Sequence, residues 1–336
     1  MEDPILRLSR VEHYYGRFRA LKDISLSIEQ GKIIGFLGCN GAGKTTTLRI
    51  ISGFTPPSSG EVELFGKSYQ EDSQLNSKIG YLPERPPLYP DMRVSAYLVF
   101  CARLKGLSKQ QGQERLEAIK DDFGIVEVIH RHCFKLSKGY RQRVGLAAAF
   151  IHDPPLVLLD EPTAGLDPEQ SSHVRSIING ERGKRTILFS SHLLSEVQEV
   201  CERLLIIDGG EIIADDSPEG LSAELSPKRT VHCTIRLDKE DVSSFTKGLQ
   251  ELVLSVEVNE SNEGNNVYDL VLTLSTDTSV CIEDLPAALI SRGAKIRSFQ
   301  EREHSVEDIF LAYISRKRSS ASDVDARQGD KDNDNA

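Results

Sequence analysis

The glycine-rich segment from Gly38 to Thr45 directly follows a short apolar run, residues 33–37. It matches the pattern G-x-x-x-x-G-K-[ST] between a strand and a helix, where loop N–H groups and the helix N-terminus surround phosphate oxygens. Lys44 can reach the β- and γ-phosphates, and the Thr45 hydroxyl can ligate Mg²⁺. The apolar strand disfavours the alternative, a glycine-rich turn without a ligand. The predicted nucleotide-binding residues here are Gly38, Cys39, Asn40, Gly41, Ala42, Gly43, Lys44, Thr45 and Thr46.

Two adjacent carboxylates, Asp160 and Glu161, follow another apolar run, residues 156–159. In open α/β sheets, ligands bind at the carboxyl ends of the strands, so both acids are placed where a ligand would lie. One carboxylate could hold Mg²⁺ through water, and the next could orient or deprotonate an attacking water. By itself this pair is a weak signal, because many strands end in a solvated acid.

Three apolar runs are the predicted strands that carry these groups: 33–37, 156–159 and 186–189. Almost wholly apolar strands are typical of parallel sheets covered by helices on both faces. Residues 5–11 and 24–29 instead alternate apolar and polar side chains, the pattern of half-buried strands in an antiparallel layer. Helix-like segments separate the apolar runs, so the predicted fold class is α/β.

A second domain is predicted beyond a helix with Ser217 as its N-cap and Pro218 at its first position. The elements expected there have the ferredoxin-like order strand 229–236, helix 240–251, strands 252–258 and 267–275, helix 281–292 and strand 295–300. A last helix is expected from Ser305, and a polar, disordered tail follows it. The predicted domains are residues 1–222, 223–315 and 316–336.

Length and composition limit the function classes. The 336 residues, 39% hydrophobic and 27% charged, indicate a globular chain of about two domains. The longest uncharged apolar stretch, 144–151, is far shorter than the roughly 20 residues that span a bilayer, and no secretory signal is evident, so we expect residence in the cytoplasm. The six cysteines contain no C-x-x-C pair, which argues against a zinc site, and the net charge of −10 disfavours sequence-independent binding to nucleic acid.

Taken in order, the chemical motifs resemble those of the ATP-binding cassette (ABC) ATPases. The matching segments are Gly38–Thr45, Leu136–Tyr140, Leu156–Glu161, Gly165–Asp167 and His192. The resemblance covers about residues 5–222 and implies an ATPase with ATP and Mg²⁺ as ligands. The implied fold is a P-loop cassette, with a parallel sheet core, an antiparallel β layer and a helical subdomain, followed here by a small α+β domain.

The resemblance also implies a dimer. Two cassettes would pair head to tail, so that each ATP lies between the phosphate loop of one copy and Ser137 and Gly139 of the other. The predicted helix 137–150 agrees with this, because Ser137 would present a hydroxyl and helix N-terminal N–H groups to a γ-phosphate. ATP would then be needed for closure of the dimer, and hydrolysis would release it.

Further roles are carried over from the family by position. Asp160 resembles the Mg²⁺-site acid, Glu161 the general base, and His192 the switch histidine that senses the γ-phosphate. Tyr15 matches the aromatic residue that stacks on adenine, with its neighbour Tyr14 as the less favoured choice.

Two positions depart from the family pattern. Glu84 occupies the place of a glutamine; its carboxylate can still ligate Mg²⁺ or accept from water, but it cannot donate as an amide does. The alternative is a solvated loop acid. Lys138 replaces a glycine of the signature, and it either adds positive charge near a γ-phosphate or faces solvent.

The variant motifs and the second domain resemble exporter ATPases that work with a separate membrane permease, as in drug, polysaccharide and gliding-motility systems. The expected partner is such a permease, docked near residues 84–105 through a proline-rich loop and a partly apolar helix. The apolar residues expected to dock are Val94, Tyr97, Leu98 and Phe100, and the alternative is that they belong to ordinary helix packing. The expected location is the cytoplasmic face of the membrane. A soluble cassette ATPase with a nucleic-acid or ribosomal partner is the alternative. A P-loop GTPase or kinase would leave residues 136–140 and His192 without a role.

Overall fold

The chain divides into two compact units, residues 1–218 and 219–336, and the predicted boundary at 222 lies four residues after this division. The computed structural model describes residues 4–69, 71–72, 74–225, 228–237, 242–249, 253–260, 266–275 and 282–302. The helix expected from Ser305 and the tail expected after it lie outside the described residues.

The first unit contains ten strands and most of the helices that the structure describes. The strands are β1 (Leu6–Tyr15), β2 (Phe18–Ile28), β3 (Ile33–Leu37), β4 (Ser59–Leu64), β5 (Lys67–Ser68), β6 (Ile79–Leu82), β7 (Leu156–Asp160), β8 (Thr186–Ser191), β9 (Arg203–Asp208) and β10 (Glu211–Asp216). The helices are α1 (Lys44–Ile51), α2 (Val94–Leu104), α3 (Lys109–Ile119), α4 (Lys138–Phe150), α5 (Pro168–Gly180), α6 (Leu194–Gln198) and α7 (Pro218–Leu225), the last of which crosses the division between the units.

A six-stranded sheet forms the centre of the first unit, in the order β10-β9-β3-β8-β7-β6. The neighbours β3, β8 and β7 run parallel, and all their residues are buried. The three strands predicted from apolar runs are therefore confirmed, because strands covered on both faces bury side chains in both directions. Parallel neighbours end at the same edge of the sheet, so the segments that follow these strands meet there.

A second, antiparallel layer has the strand order β2-β1-β4-β5. The apolar faces of β1 and β2 pack in one core with the central sheet and α1, in which Leu8, Ile24, Phe36, Leu48 and Leu158 are almost fully buried. Both strands are longer than predicted. Register shifts along the β1–β2 pairing interrupt the alternation of buried and exposed side chains, so the alternating sequence pattern covers only the first part of β1 and the last part of β2.

The helix α2 and the loop before it form the segment, residues 84–105, that was predicted to dock a partner. Val94, Tyr97 and Leu98 are buried, with at most 4% of their surface exposed, so these apolar residues of α2 pack inside the unit. The prediction that they form a docking surface is wrong, and the alternative reading as helix packing is correct for them. Phe100 is half-buried, and Tyr89 in the preceding loop is exposed.

The second unit contains strands and helices in the predicted order. They are β11 (Lys228–Arg236), α8 (Val242–Leu249), β12 (Ser255–Glu260), β13 (Val267–Ser275), α9 (Leu285–Ser291) and β14 (Lys295–Arg302). The sheet order is β12-β13-β11-β14 with antiparallel pairing throughout, which is the ferredoxin-like arrangement. Its core includes Val231, Leu270 and Leu285. Throughout the described residues, none of the helices has the length and apolar character of a membrane span.

Candidate functional site

A cleft of about 420 Å³ lies at the edge where β3, β7 and β8 end. Most of the predicted site residues line it. The lining consists of Tyr15, Phe18, Ala20, Cys39, Asn40, Gly41, Gly43, Lys44, Thr45, Thr46, Glu84, Glu161, Ala164 and His192. Asp160 is buried directly before Glu161 at the end of β7. Strand topology therefore brings residues from five separate segments of the sequence to one place.

The phosphate loop joins β3 to α1 in a conformation that needs glycine. Gly41 and Gly43 have φ angles of +83° and +116°, in the left-handed region where a Cβ is disfavoured. At Gly38 the reason is space, because a Cβ would lie 2.5 Å from the carbonyl oxygen of Ile207 on the neighbouring strand β9. The Ala42 N–H donates to the Cys39 carbonyl (3.1 Å) and closes the turn. The loop backbone thus curves in front of the first turn of α1, as a phosphate-binding loop does.

Lys44 and Glu161 form a buried ion pair at the floor of the cleft. Their Nζ and Oε1 atoms are 3.2 Å apart, and the side chains are only 6% and 10% exposed. The Lys44 ammonium also donates to the Gly38 carbonyl at 2.6 Å. A buried cation and a buried carboxylate are therefore held within contact distance of each other.

Asp160 is held by hydroxyl groups from two other elements. Its Oδ1 atom accepts from Thr45 Oγ1 (3.1 Å) and from Ser190 Oγ (2.8 Å). Burial raises the pKa of the Asp160 carboxyl, with smaller contributions from Glu161 and Glu84, while the two hydroxyl donors oppose the shift. Asp160 Oδ2 is buried without a hydrogen-bond partner. Among the described residues, no group of three or more His, Cys, Asp or Glu side chains forms a metal site. The predicted Mg²⁺ residues Thr45, Glu84 and Asp160 are oxygen donors, the type of ligand that Mg²⁺ takes.

Glu161 and His192 face each other across the cleft. His192 Nδ1 lies 2.7 Å from Glu161 Oε2, and the histidine is partly exposed whereas the carboxylate is buried. An ionised carboxylate can only accept, so Nδ1 is the donor of this bond. The Glu161 backbone has a φ of +49°, which is unusual for a residue with a side chain and marks a strained position next to the chemistry.

Two further predicted residues, Tyr15 and Glu84, are exposed at the rim of the cleft. Tyr15 lines the cleft and is 46% exposed, and its ring centroid lies 4.6 Å from that of His13 in an edge-on contact. Tyr14 is not among the described residues that line the cleft, and its hydroxyl donates to the Glu12 carboxylate. Glu84 is exposed and lines the same cleft. The geometry agrees with the choice of Tyr15 over Tyr14 as the base-stacking residue, which stays a prediction.

The signature residues are not brought into this cleft. Ser137 is the N-cap of α4, where its hydroxyl accepts from the Tyr140 N–H, and Gly139 lies against the Gln170 side chain at the start of α5. A Cβ at Gly165 would collide with the Lys138 ammonium, so that exposed side chain lies over the segment after Glu161. Of the two readings of Lys138, contact with a phosphate stays untested.

Sequence reasoning missed some of the residues that complete the site. Ser190 donates to Asp160 and accepts from the Glu161 N–H at 3.0 Å, so one hydroxyl orients both acids. Phe18 is 64% exposed and lines the cleft beside Tyr15. The position of Ser190 at the end of an apolar strand, two residues before His192, was the available signal. Phe18 had no such signal, because only the hairpin geometry of β1 and β2 places it there.

Comparison with known proteins agrees with this geometry. The family model described as ABC transporter matches residues 21–164. The chain is 31% identical over 300 residues to the uncharacterized ABC transporter ATP-binding protein YxlF of Bacillus subtilis, covering 89% of this chain and 96% of YxlF. It is 29% identical over 320 residues to the linearmycin resistance ATP-binding protein LnrL of Bacillus subtilis, covering 93% of this chain and 99% of LnrL.

A solved structure gives the same result for the fold. The structure of cbiO1 from Clostridium perfringens, described as part of the ABC transporter complex cbiONQ, superimposes with a TM-score of 0.60 at 27% identity, covering 67% of this chain and 92% of cbiO1. The relatives do not favour the alternative of a nucleic-acid or ribosomal partner. The cleft combines the glycine-rich loop with the buried Lys44–Glu161 pair and His192, in the region where the motifs resemble those of the family. The chain therefore belongs to the ATP-binding proteins of ABC transporters, and it is an ATPase subunit of a transporter system.

Proposed function

We propose that this chain dimerises on binding ATP, hydrolyses it with Mg²⁺, and thereby drives a separate membrane permease in export. The observation that carries the proposal is the convergence of Lys44, Asp160, Glu161 and His192 at one edge of the sheet. Two relatives support the transport part. LnrL is named as a linearmycin resistance ATP-binding protein, and cbiO1 is described as part of the ABC transporter complex cbiONQ.

In this proposal the residues of the cleft act on the phosphates, on the attacking water or on one another. Lys44 neutralises phosphate charge, Glu161 takes the proton of the water, and His192 holds the Glu161 carboxylate through their 2.7 Å bond. Thr45 Oγ1 and the unpartnered Asp160 Oδ2, with Glu84 nearby, would hold Mg²⁺. The bound cation would neutralise charge on the β- and γ-phosphates.

A second copy of the chain would complete the site. Ser137 caps α4, a helix of 13 residues, so its hydroxyl and the N–H groups of the first turn form an end with positive character. We propose that Ser137 and Gly139 contact the γ-phosphate bound by the other copy. The subunit would then lie on the cytoplasmic face of the membrane, attached through the permease.

The substitution Glu161→Gln tests the hydrolytic mechanism. An amide preserves the size of the side chain but cannot accept the proton, so we expect kcat to fall by about 100-fold or more while ATP still binds. The variant should accumulate as a dimer in ATP and Mg²⁺, as measured by size-exclusion chromatography with light scattering. Glu114→Gln on the exposed face of α3 is the matched control and should behave as the unmodified chain. Unchanged turnover of Glu161→Gln would remove Glu161 from this role.

The permease is tested separately. If the reading frame next to this gene encodes a protein with several membrane spans, we expect it to co-purify with this chain and to change its ATPase rate in vesicles. Export predicts uptake of the substrate into inverted vesicles that depends on ATP and is lost with Glu161→Gln. An ATPase that never associates with such a protein would contradict the transport part alone.

A further inference from the structure

Glu196 on the short helix α6 has a buried carboxylate that joins two segments of the site from behind. The residue is only 7% exposed. Its Oε2 atom accepts from Thr163 Oγ1 at 2.6 Å and from Ser191 Oγ at 2.9 Å. A buried charge needs compensation, and hydrogen bonds to an ionised acceptor are among the strongest in proteins. One oxygen therefore links the segment after β7 to the segment after β8.

Thr163 belongs to the turn that carries the proposed base. Glu161 is two residues earlier, and its carbonyl accepts from the Ala164 N–H at 3.1 Å. The Thr163 side chain is itself buried within this turn. Because Glu161 holds a left-handed backbone conformation, the turn needs support from its surroundings. The bond from Thr163 to Glu196 supplies one such contact.

Ser191 belongs to the turn that carries His192. Its single hydroxyl hydrogen has two oxygens within reach, Glu196 Oε2 at 2.9 Å and the Leu193 carbonyl at 3.1 Å, and the carboxylate is the stronger acceptor. The hydroxyl oxygen in turn accepts from the Leu193 N–H at 3.0 Å. The residues on both sides of His192 are thus held through one hydroxyl that Glu196 orients.

We propose that Glu196 is a positioning residue, which fixes His192 Nδ1 within hydrogen-bonding distance of Glu161 Oε2. Glu196 is not one of the described residues that line the cleft, so it acts through the two turns. The inference rests on the proposed roles of Glu161 and His192. A carboxylate at this place links the turn that carries Glu161 to the turn that carries His192, so that a shift of one turn displaces the other.

The first test observes the bond itself in the nucleotide-free full chain, by ¹⁵N NMR of the imidazole rings, with the His192 signals assigned by His192→Gln. In the unmodified chain we expect Nδ1 to be protonated and hydrogen-bonded. Glu196→Ala should lose this signature, and Glu196→Gln should keep it, because an amide oxygen can accept both hydroxyl bonds. Thr163→Val cuts one bond only and should give a partial change. Glu199→Ala removes a 61% exposed carboxylate next to α6 and is the matched control.

The second test is kinetic. We expect Glu196→Ala to lower kcat for ATP by about tenfold or more with little change in KM, Glu196→Gln to restore most of it, and Glu199→Ala to have no effect. If Glu196 had a purely structural role, Glu196→Ala would lower the free energy of unfolding but keep the His192 signature and the kcat of the unmodified chain. That result would overturn the proposal. If Glu196→Ala does not fold, the Thr163→Val and Glu196→Gln spectra still decide. Failure of the proposed function is separate, since it would appear as unchanged turnover in Glu161→Gln whatever the NMR result.

Discussion

Replacing Lys44 by methionine removes the cation that compensates the buried carboxylate of Glu161. Two unit charges 3.2 Å apart interact with about 5 kcal/mol at an effective dielectric constant of ~20, before desolvation is subtracted. Breaking a buried pair costs about 3–5 kcal/mol, because one charge is left without a partner. The bond from His192 to Glu161 remains in the variant, so we expect the lower end, a loss of about 3 kcal/mol in the free energy of unfolding.

The double variant separates the pair from other effects. Adding Glu161→Gln to Lys44→Met removes the uncompensated charge, so the unfolding free energy should recover by at least about 1 kcal/mol relative to Lys44→Met alone. Urea unfolding followed by far-UV circular dichroism without nucleotide measures each variant. Lys22→Met is the control, because its pair with Glu211 at 3.6 Å is about 40% exposed and should contribute no more than about 1 kcal/mol. If the losses from the two single variants add to within about 0.5 kcal/mol, the ion pair does not have the strength inferred here.

Two further measurements address the cleft rim and the pH dependence of stability. Tyr15→Ala should weaken ATP binding by about 1–3 kcal/mol in isothermal titration calorimetry, because an aromatic ring no longer stacks on the base, whereas Tyr14→Ala should bind as before; equal losses would contradict the assignment. Burial lowers the pKa of His152 from 6.5 to about 4. Between pH 6.5 and pH 4 the unfolded chain therefore binds a proton at this residue that the folded chain does not bind. The free energy of unfolding should fall by up to about 1.4 kcal/mol for each pH unit that the pH is lowered through this range. Urea unfolding at pH 7 and pH 5 should show a smaller fall for His152→Gln, whose amide can still donate to the Ile79 carbonyl, and an equal fall would exclude His152 as the source.

The central sheet was predictable because strands that are buried on both faces need apolar residues at almost every position. The runs 33–37, 156–159 and 186–189 are apolar for this reason, and the structure places all three as adjacent parallel strands. The order of elements in the second unit was predictable from alternating helix and strand patterns. The apolar face of α2 was not interpreted correctly, because periodicity shows that a face is buried but not what buries it.

The phosphate loop and the acids of the site were predictable because their spacing is fixed by local chemistry. Contacts between distant segments were not. Ser190 and Glu196 are separated in sequence from Asp160 and Thr163 by about thirty residues, and only the pairing of β7 with β8 brings them together. No periodic pattern distinguishes a serine that orients two carboxylates from one that ends a strand. Such residues become evident only when hydrogen bonds can be traced across the sheet.

The left-handed backbone of Glu161 also has an evolutionary consequence. A residue with a side chain held in this region costs about 1–2 kcal/mol, and glycine would remove most of that cost. Glycine at position 161 would, however, leave the buried Lys44 ammonium without its partner, and that loss of about 3–5 kcal/mol exceeds the relief of strain. In a laboratory population screened only for thermal tolerance, we therefore expect glycine or asparagine to arise at position 161 only together with an apolar residue at position 44, and the lineages that carry both changes to be more heat-resistant but unable to hydrolyse ATP.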